Sequence, residues 1–236
     1  MKKILLASTS TLFGESYLAY LLPHLDQFFK GVETLTFVPY ARPGGTSYDD
    51  YTVTVARAFA KIGIKVVGLH TFNNPKEGLD KAEAIFVGGG NTFLLVNQLY
   101  QQKLMQSLKY KIEEGTPYLG TSAGSNIAGI SMKTTNDMPI VHPQSFETLG
   151  VVPFNINPHY LDPDPNSHHK GETREMRISE FHCFNDTPVI GLREGSFITL
   201  QENMALLQGP HTARVFKPGK QPYEIGTGSN IMEDIG

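Results

Sequence analysis

Short apolar runs alternate with longer amphipathic stretches through the first half of the chain. KKILLAS, LTFVPY, IKVVGLH, AIFVGGG (Ala84 to Gly90) and TPYLGTS (Thr116 to Ser122) are β-branched or apolar almost throughout. Strands of that kind belong in a sheet covered on both faces. Between them, GESYLAYLLPHLDQFF, YDDYTVTVARAFAKIG and the stretch from Phe93 to Glu114 carry the helical spacing. This βαβαβ rhythm predicts an α/β fold: a mainly parallel sheet flanked by helices, with right-handed crossovers.

After Ser122 the rhythm breaks. Met132 to Asn166 is rich in Pro, Asn, Asp and His with little periodicity. So long a structureless stretch inside a compact fold points to a functional loop region. Helical spacing returns from Glu172 to Phe181, and TPVIGLRE, SFITLQ, MALLQG and ARVFKPG then read as short strands. They predict a β-rich C-terminal extension added to the sheet in antiparallel fashion.

Composition narrows the partners. A chain of 236 residues, 40% hydrophobic, suits one domain covering 1–236. A net charge of -3 with acids and bases interspersed speaks against a nucleic-acid backbone or an anionic membrane as partner. The basic start of MKKILLASTS leads into a first strand rather than a signal peptide, and no apolar run approaches the roughly 20 residues of a membrane span. Cys183 is the one cysteine, so no internal disulfide can form, and a reducing, cytoplasmic setting is expected. A small molecule or peptide is the expected substrate, and a monomer or small homo-oligomer the expected assembly.

The chemistry concentrates at two strand ends. Gly120-Thr121-Ser122-Ala123-Gly124 matches G-x-S-x-G where an apolar strand gives way to the small-residue segment SAGSNIAGI. A nucleophile elbow needs small neighbours so that the backbone can turn sharply and lift the serine hydroxyl, and Gly120, Ala123 and Gly124 meet that demand. The Ala123 amide would then be one donor to an oxyanion. Gly88-Gly89-Gly90-Asn91-Thr92 ends the preceding strand on the same carboxyl edge. Gly89 and Gly90 offer backbone amides for a second donor, and Asn91 or Thr92 offers a helix cap.

A serine nucleophile needs a base, usually histidine. Eight histidines are present, and residue types alone do not choose among His159, in NINPHY, the adjacent pair His168 and His169, and the others. Five ordered motifs make the choice: GGGNTF, GTSAGSN, TTNDMPIV, NINPHY and HKGETREMRI. Together they resemble peptidase E, the α-aspartyl dipeptidase family, over essentially the whole chain. The resemblance implies a serine peptidase cleaving Asp-X dipeptides without metal or organic cofactor, on a class I glutamine amidotransferase-like, flavodoxin-like fold. It implies Ser122 as nucleophile and His159 as base. Both Asp137 and Glu194 match positions of the catalytic relay, and one of them should orient the imidazole. It further implies Arg174 as partner of the substrate's acidic side chain, with Asn91 nearby, although Glu172, Arg174, Glu175 and Arg177 also suit a surface ion-pair lattice.

The chain departs from the family pattern at Thr121 and Ser125 around the elbow, at His142 after P-I-V, and in the segment from Tyr160 to Ser167. A cyanophycinase-like or isoaspartyl peptidase of the same fold is the enzymatic alternative, and a catalytically silent binding protein the non-enzymatic one. Class I glutamine amidotransferases carry cysteine at the elbow, and Cys183 lies elsewhere. A metal reading would rest on His168 and His169 beside Asp162 and Asp164.

Overall fold

The computed structural model describes residues 1–164 and 171–236. The first half runs β1 (Lys3–Ala7), α1 (Leu22–Phe28), β2 (Thr34–Val38), α2 (Tyr48–Phe59), β3 (Lys65–Gly68), α3 (Pro75–Asp80) and β4 (Ala84–Val87). It continues through α4 (Thr92–Gln101), α5 (Met105–Glu113), β5 (Tyr118–Thr121) and the single turn α6 (Ala123–Asn126). The second half contributes β6 (Asn155–Pro158), α7 (Arg174–Phe181), β7 (Val189–Leu192), β8 (Phe197–Gln201), β9 (Met204–Gln208), β10 (Ala213–Phe216), β11 (Tyr223–Ile225) and α8 (Ile231–Ile235).

Local chemistry sets the helix limits. Ser47 caps α2, its hydroxyl accepting from Asp50 N–H at 3.0 Å, and Asp49 and Asp50 sit in the positive first turn. The expected first helix is much shorter than GESYLAYLLPHLDQFF. Leu18 takes φ 58 and Pro23 occupies the first turn of α1, where its missing N–H costs nothing. The stretch from Phe93 to Glu114 breaks into α4 and α5 at Lys103, which takes φ 55.

Seven strands form one sheet in the order β3-β2-β4-β5-β1-β8-β9. The first five are parallel, and β8 and β9 extend the sheet antiparallel beyond β1. Every residue of β4 and β5 is buried, as continuous apolar runs require. One face packs Leu5, Phe37, Phe86 and Leu119 against α1 and α2 through Leu25, Tyr51, Val55 and Phe59. The other packs Ile4, Leu6, Ile85 and Val87 against Leu95, Val96 and Leu108 of α4 and α5, and against Ile156, Ile190 and Val215.

Those last three residues belong to a second sheet, β11-β10-β7-β6. Here the structure corrects the expected antiparallel extension. SFITLQ and MALLQG do extend the main sheet, but TPVIGLRE and ARVFKPG do not join it. They supply β7 and β10, and β7 pairs in parallel with β6, inside the stretch read as loop. The cause lies in Asn155 and Asn157, which are buried although polar. Asn155 Oδ1 accepts from Ile130 and Ser131 N–H at 3.0 Å each. Asn157 Nδ2 donates to Thr134 O at 2.9 Å. Their amides thus supply the partners that a turn would otherwise lack, and a strand with polar residues becomes a core strand.

Candidate active site

Ser122 sits between β5 and α6 at φ 53, ψ −110. That region is strained for a residue with a side chain, at a cost of about 1–3 kcal/mol, and surrounding bonds must hold it there. Ser122 N–H donates to Ala7 O of the neighbouring strand at 3.1 Å. Ser125 Oγ lies 2.7 Å from Ala7 O and 2.8 Å from Gly120 O. The serine that departs from the family pattern therefore stitches the elbow to both strands. Gly124 must be glycine, because a Cβ there would stand 2.1 Å from Val87 O.

The glycine loop leans over the elbow from β4. A Cβ on Gly89 would fall 3.1 Å from Ser122 Cβ and 3.6 Å from its Oγ. The Gly89 carbonyl accepts from Tyr51 OH at 3.3 Å, which fixes the peptide plane between Gly89 and Gly90. Gly90 takes φ 142, with Ala41 O where a side chain would begin. Among the described residues, the amides of Gly89, Gly90 and Ala123 have no backbone acceptor. Asn91 engages both ends of its side chain structurally: Oδ1 caps α4 by accepting from Leu94 N–H at 3.0 Å, and Nδ2 donates to Met138 O at 2.8 Å.

His159 follows β6 at φ 53. Its Nε2 lies 2.8 Å from Ser122 Oγ and its Nδ1 2.5 Å from Glu194 Oε1. An ionised carboxylate only accepts, so Nδ1 carries the proton and Nε2 faces the serine as acceptor. Glu194 comes from the turn after β7, the parallel partner of β6, so the second sheet delivers both groups to one place. Ser8 locks them there. Its fully buried hydroxyl accepts from His159 N–H at 2.8 Å and donates to Leu192 O at 2.7 Å. Sequence reasoning passed over Ser8; the only signal was a polar residue just after the first strand, and its meaning depends on the end of β1 meeting the ends of β6 and β7.

Asp137 takes another part. Its Oδ2 accepts from Thr92 N–H at 2.7 Å, Thr92 Oγ1 at 2.6 Å and Thr135 Oγ1 at 3.1 Å. It holds the N-terminus of α4 and does not touch the imidazole. Arg174 opens α7 and, among the described residues, has no carboxylate within 4.0 Å. Burial and the neighbouring Arg177 lower its pKa, opposed by Asp137. A partly desolvated guanidinium thus lies on a surface shared with Asn136, Leu161 and Pro163, within electrostatic reach of Asp137. Of the alternative lattice, Glu172 reaches Arg177 at 3.6 Å and Glu175 reaches Arg214 at 3.1 Å, leaving Arg174 outside it.

Behind the imidazole, Arg193 pairs with Asp162 at 2.8 Å and Glu224 at 2.9 Å and lies over the Tyr160 ring. Burial, with Asp162 and Glu175 adding to it, pushes the Tyr160 phenol up to about 12. Asp162 is therefore engaged by an arginine, and among the described residues no group of three or more His, Cys, Asp or Glu is arranged to hold a metal. His168 and His169 lie outside the described residues.

The family model for peptidase family S51 matches residues 4–208. The chain belongs to peptidase family S51. It is 50% identical to a peptidase E of Streptomyces coelicolor over 230 residues, covering 98% of this chain and 93% of that protein. It is 48% identical over 219 residues to a Drosophila melanogaster protein named "Probable alpha-aspartyl dipeptidase", covering 92% and 90% of the two chains. The fold matches the crystal structure of a peptidase from an acI-B1 Actinobacterium with a TM-score of 0.74 at 16% identity, covering 97% of this chain and 96% of that one. As an S51 member the chain is a serine peptidase.

Proposed function

We propose that this S51 peptidase hydrolyses dipeptides with an N-terminal aspartate, Asp-X, through an acyl-enzyme on Ser122. The observation that carries the reading is the continuous relay from Ser122 Oγ through His159 to Glu194, together with the names of its S51 relatives. Ser122 Oγ attacks the aspartyl carbonyl carbon as His159 Nε2 takes its proton. The amide N–H of Ala123 and one from the Gly89-Gly90 segment stabilise the oxyanion. As the C–N bond breaks, the imidazolium returns the proton to the leaving amine. Water, deprotonated by the same nitrogen, then releases aspartate and frees the serine. Glu194 holds the tautomer and compensates the imidazolium. Arg174 receives the substrate's side-chain carboxylate, which a planar fork of donors suits.

No cofactor enters this scheme. One apolar cluster joins the two sheets, which supports a single domain, and no helix among the described residues is long and apolar enough to cross a membrane. A cytoplasmic setting with the exposed Cys183 reduced is part of the same proposal. The test is aspartate release from Asp-Leu by the purified protein and by Ser122→Ala, with Ala-Leu, Glu-Leu and N-acetyl-Asp-Leu alongside. Cleavage of Asp-Leu that vanishes in the variant and is weak on the other three supports the reading. Efficient cleavage of Ala-Leu, or an active Ser122→Ala, overturns it.

A further inference from the structure

A dipeptidase substrate carries an anion at each end of the scissile bond: the aspartyl side chain on one side and the free terminal carboxylate a few bonds away on the other. Arg174 accounts for the first. Among the described residues, Arg177, Arg193, Arg214 and Lys133 of the nearby second-sheet side are engaged. Arg177 pairs with Glu172, Arg193 with Asp162 and Glu224, and Arg214 with Glu175, while Lys133 donates to Asn185 at 3.0 Å.

Arg42 is different. It lies in the loop after β2, half-buried, with its guanidinium carbon 4.5 Å from the centre of the Tyr51 ring. Its Nε is buried without a hydrogen-bond partner, and among the described residues it has no carboxylate within 4.0 Å. A half-buried cation on an aromatic face, with its Nε unpaired, is an arrangement that an anion would complete. Tyr51 also leads to the nucleophile: its hydroxyl holds Gly89 O, and a Cβ on Gly89 would stand 3.1 Å from Ser122 Cβ. Tyr51 packs on the α2 face of the main sheet, whereas Thr92, which binds Asp137, opens α4 on the opposite face. The two arginines therefore flank the serine edge from opposite faces of the sheet, as the two anions of Asp-X flank the scissile bond.

We infer that Arg42 receives the C-terminal carboxylate of the dipeptide and makes the enzyme a reader of chain length. This rests on the dipeptidase reading above. The geometry asks only that the guanidinium stay stacked on Tyr51 and turn its free donors toward the leaving residue.

The test compares Asp-Leu with its C-terminal amide, Asp-Leu-NH2, on wild type, Arg42→Gln and Arg42→Lys. Wild type should favour the free acid by on the order of ten- to a hundredfold in kcat/KM, the size expected of a charge-assisted contact. Arg42→Gln should remove most of that preference by slowing Asp-Leu while leaving Asp-Leu-NH2 unchanged, and Arg42→Lys should restore part of it. The amide rate serves as the internal control for folding. An unaltered acid-to-amide ratio in Arg42→Gln overturns the assignment while leaving the dipeptidase standing. So does an equal fall on both substrates, which would mean that Arg42 acts only by holding Tyr51 and the glycine loop. Failure of wild type to cleave either substrate would overturn the dipeptidase reading, and this inference with it.

Discussion

Replacing Glu194 by Gln keeps an acceptor oxygen beside His159 Nδ1 but removes the charge that faces the imidazolium. The bond at stake is short, 2.5 Å, and charge-assisted, a kind worth about 1.5–3 kcal/mol. The His159 and Glu194 side chains are 35% and 47% exposed, so water can stand in for part of that charge. The lower end of the range then applies, about 1.5 kcal/mol, or roughly tenfold in kcat. An amide can also rotate and donate to Nδ1, which would stabilise the wrong tautomer and carry the loss toward a hundredfold. Asp137→Asn provides the contrast. It weakens the cap on Thr92, expected to cost about 0.5–2 kcal/mol of stability, and loosens the neighbour of Arg174. Its signature should be a lower melting temperature and a raised KM for Asp-Leu, with kcat within about threefold of wild type. Steady-state kinetics of aspartate release and thermal melts on both variants separate the two roles. A Glu194→Gln enzyme within twofold of wild type, or a tenfold kcat loss in Asp137→Asn at unchanged melting temperature, would refute the assignment of Glu194 as the orienting acid.

Three further outcomes follow from the same geometry. Ser8→Ala strands the His159 N–H and leaves the Leu192 carbonyl to the Tyr160 N–H alone, a penalty of about 1–3 kcal/mol. Melts should show a loss of several degrees, and kinetics a lower kcat at nearly constant KM. Gly89→Ala places a methyl 3.1 Å from Ser122 Cβ and 3.3 Å from Thr121 O, so the loop must shift by a few tenths of an ångström. With oxyanion donors worth about a hundredfold or more each, kcat should drop at least about tenfold while the fold persists by circular dichroism. At Glu224, burial pulls the carboxyl upward, but Arg193, Thr212 and Arg214 outweigh it and hold the group below its ordinary value of 4.5. A carboxyl depressed by folding stabilises above its unfolded pKa, and that contribution disappears as pH falls through the lower folded value. Melting temperatures should therefore decline below about pH 4.5, and Glu224→Gln should flatten that decline.

How much of this was legible beforehand depended on whether a residue's role is local. The β1, β2, β4 and β5 runs declare themselves because each is buried on both faces, and burial on both faces leaves an unbroken apolar string. The elbow declares itself because a sharp turn at Ser122 forbids large neighbours within the same few residues. The His159 half of the site has no such local mark. NINP reads as loop because two of its four residues are asparagines, and only the turns at Ile130–Ser131 and Thr134, far along the chain, explain why those amides belong in a core. Asp137 and Glu194 look equivalent as acids following short runs. What separates them is that β7 pairs with β6 and brings Glu194 to Nδ1, while Asp137 is drawn to the open end of α4.

The same reasoning explains why Ser8 and Arg42 escaped notice. Ser8 acts where the two sheets meet, touching a residue about 150 positions away, and no periodicity in β1 encodes that meeting. Arg42 lies in a loop rich in glycine and proline, where an arginine ordinarily belongs to the solvent. Its significance comes from what it lacks among the described residues, a carboxylate partner, and from Tyr51 beneath it, which holds the glycine loop beside the nucleophile through one carbonyl. In this chain the parallel strands and the serine are written in short-range pattern. The base, its acid and the groups that measure the substrate are written in contacts between sheets and faces, and those exist only once the second sheet has packed.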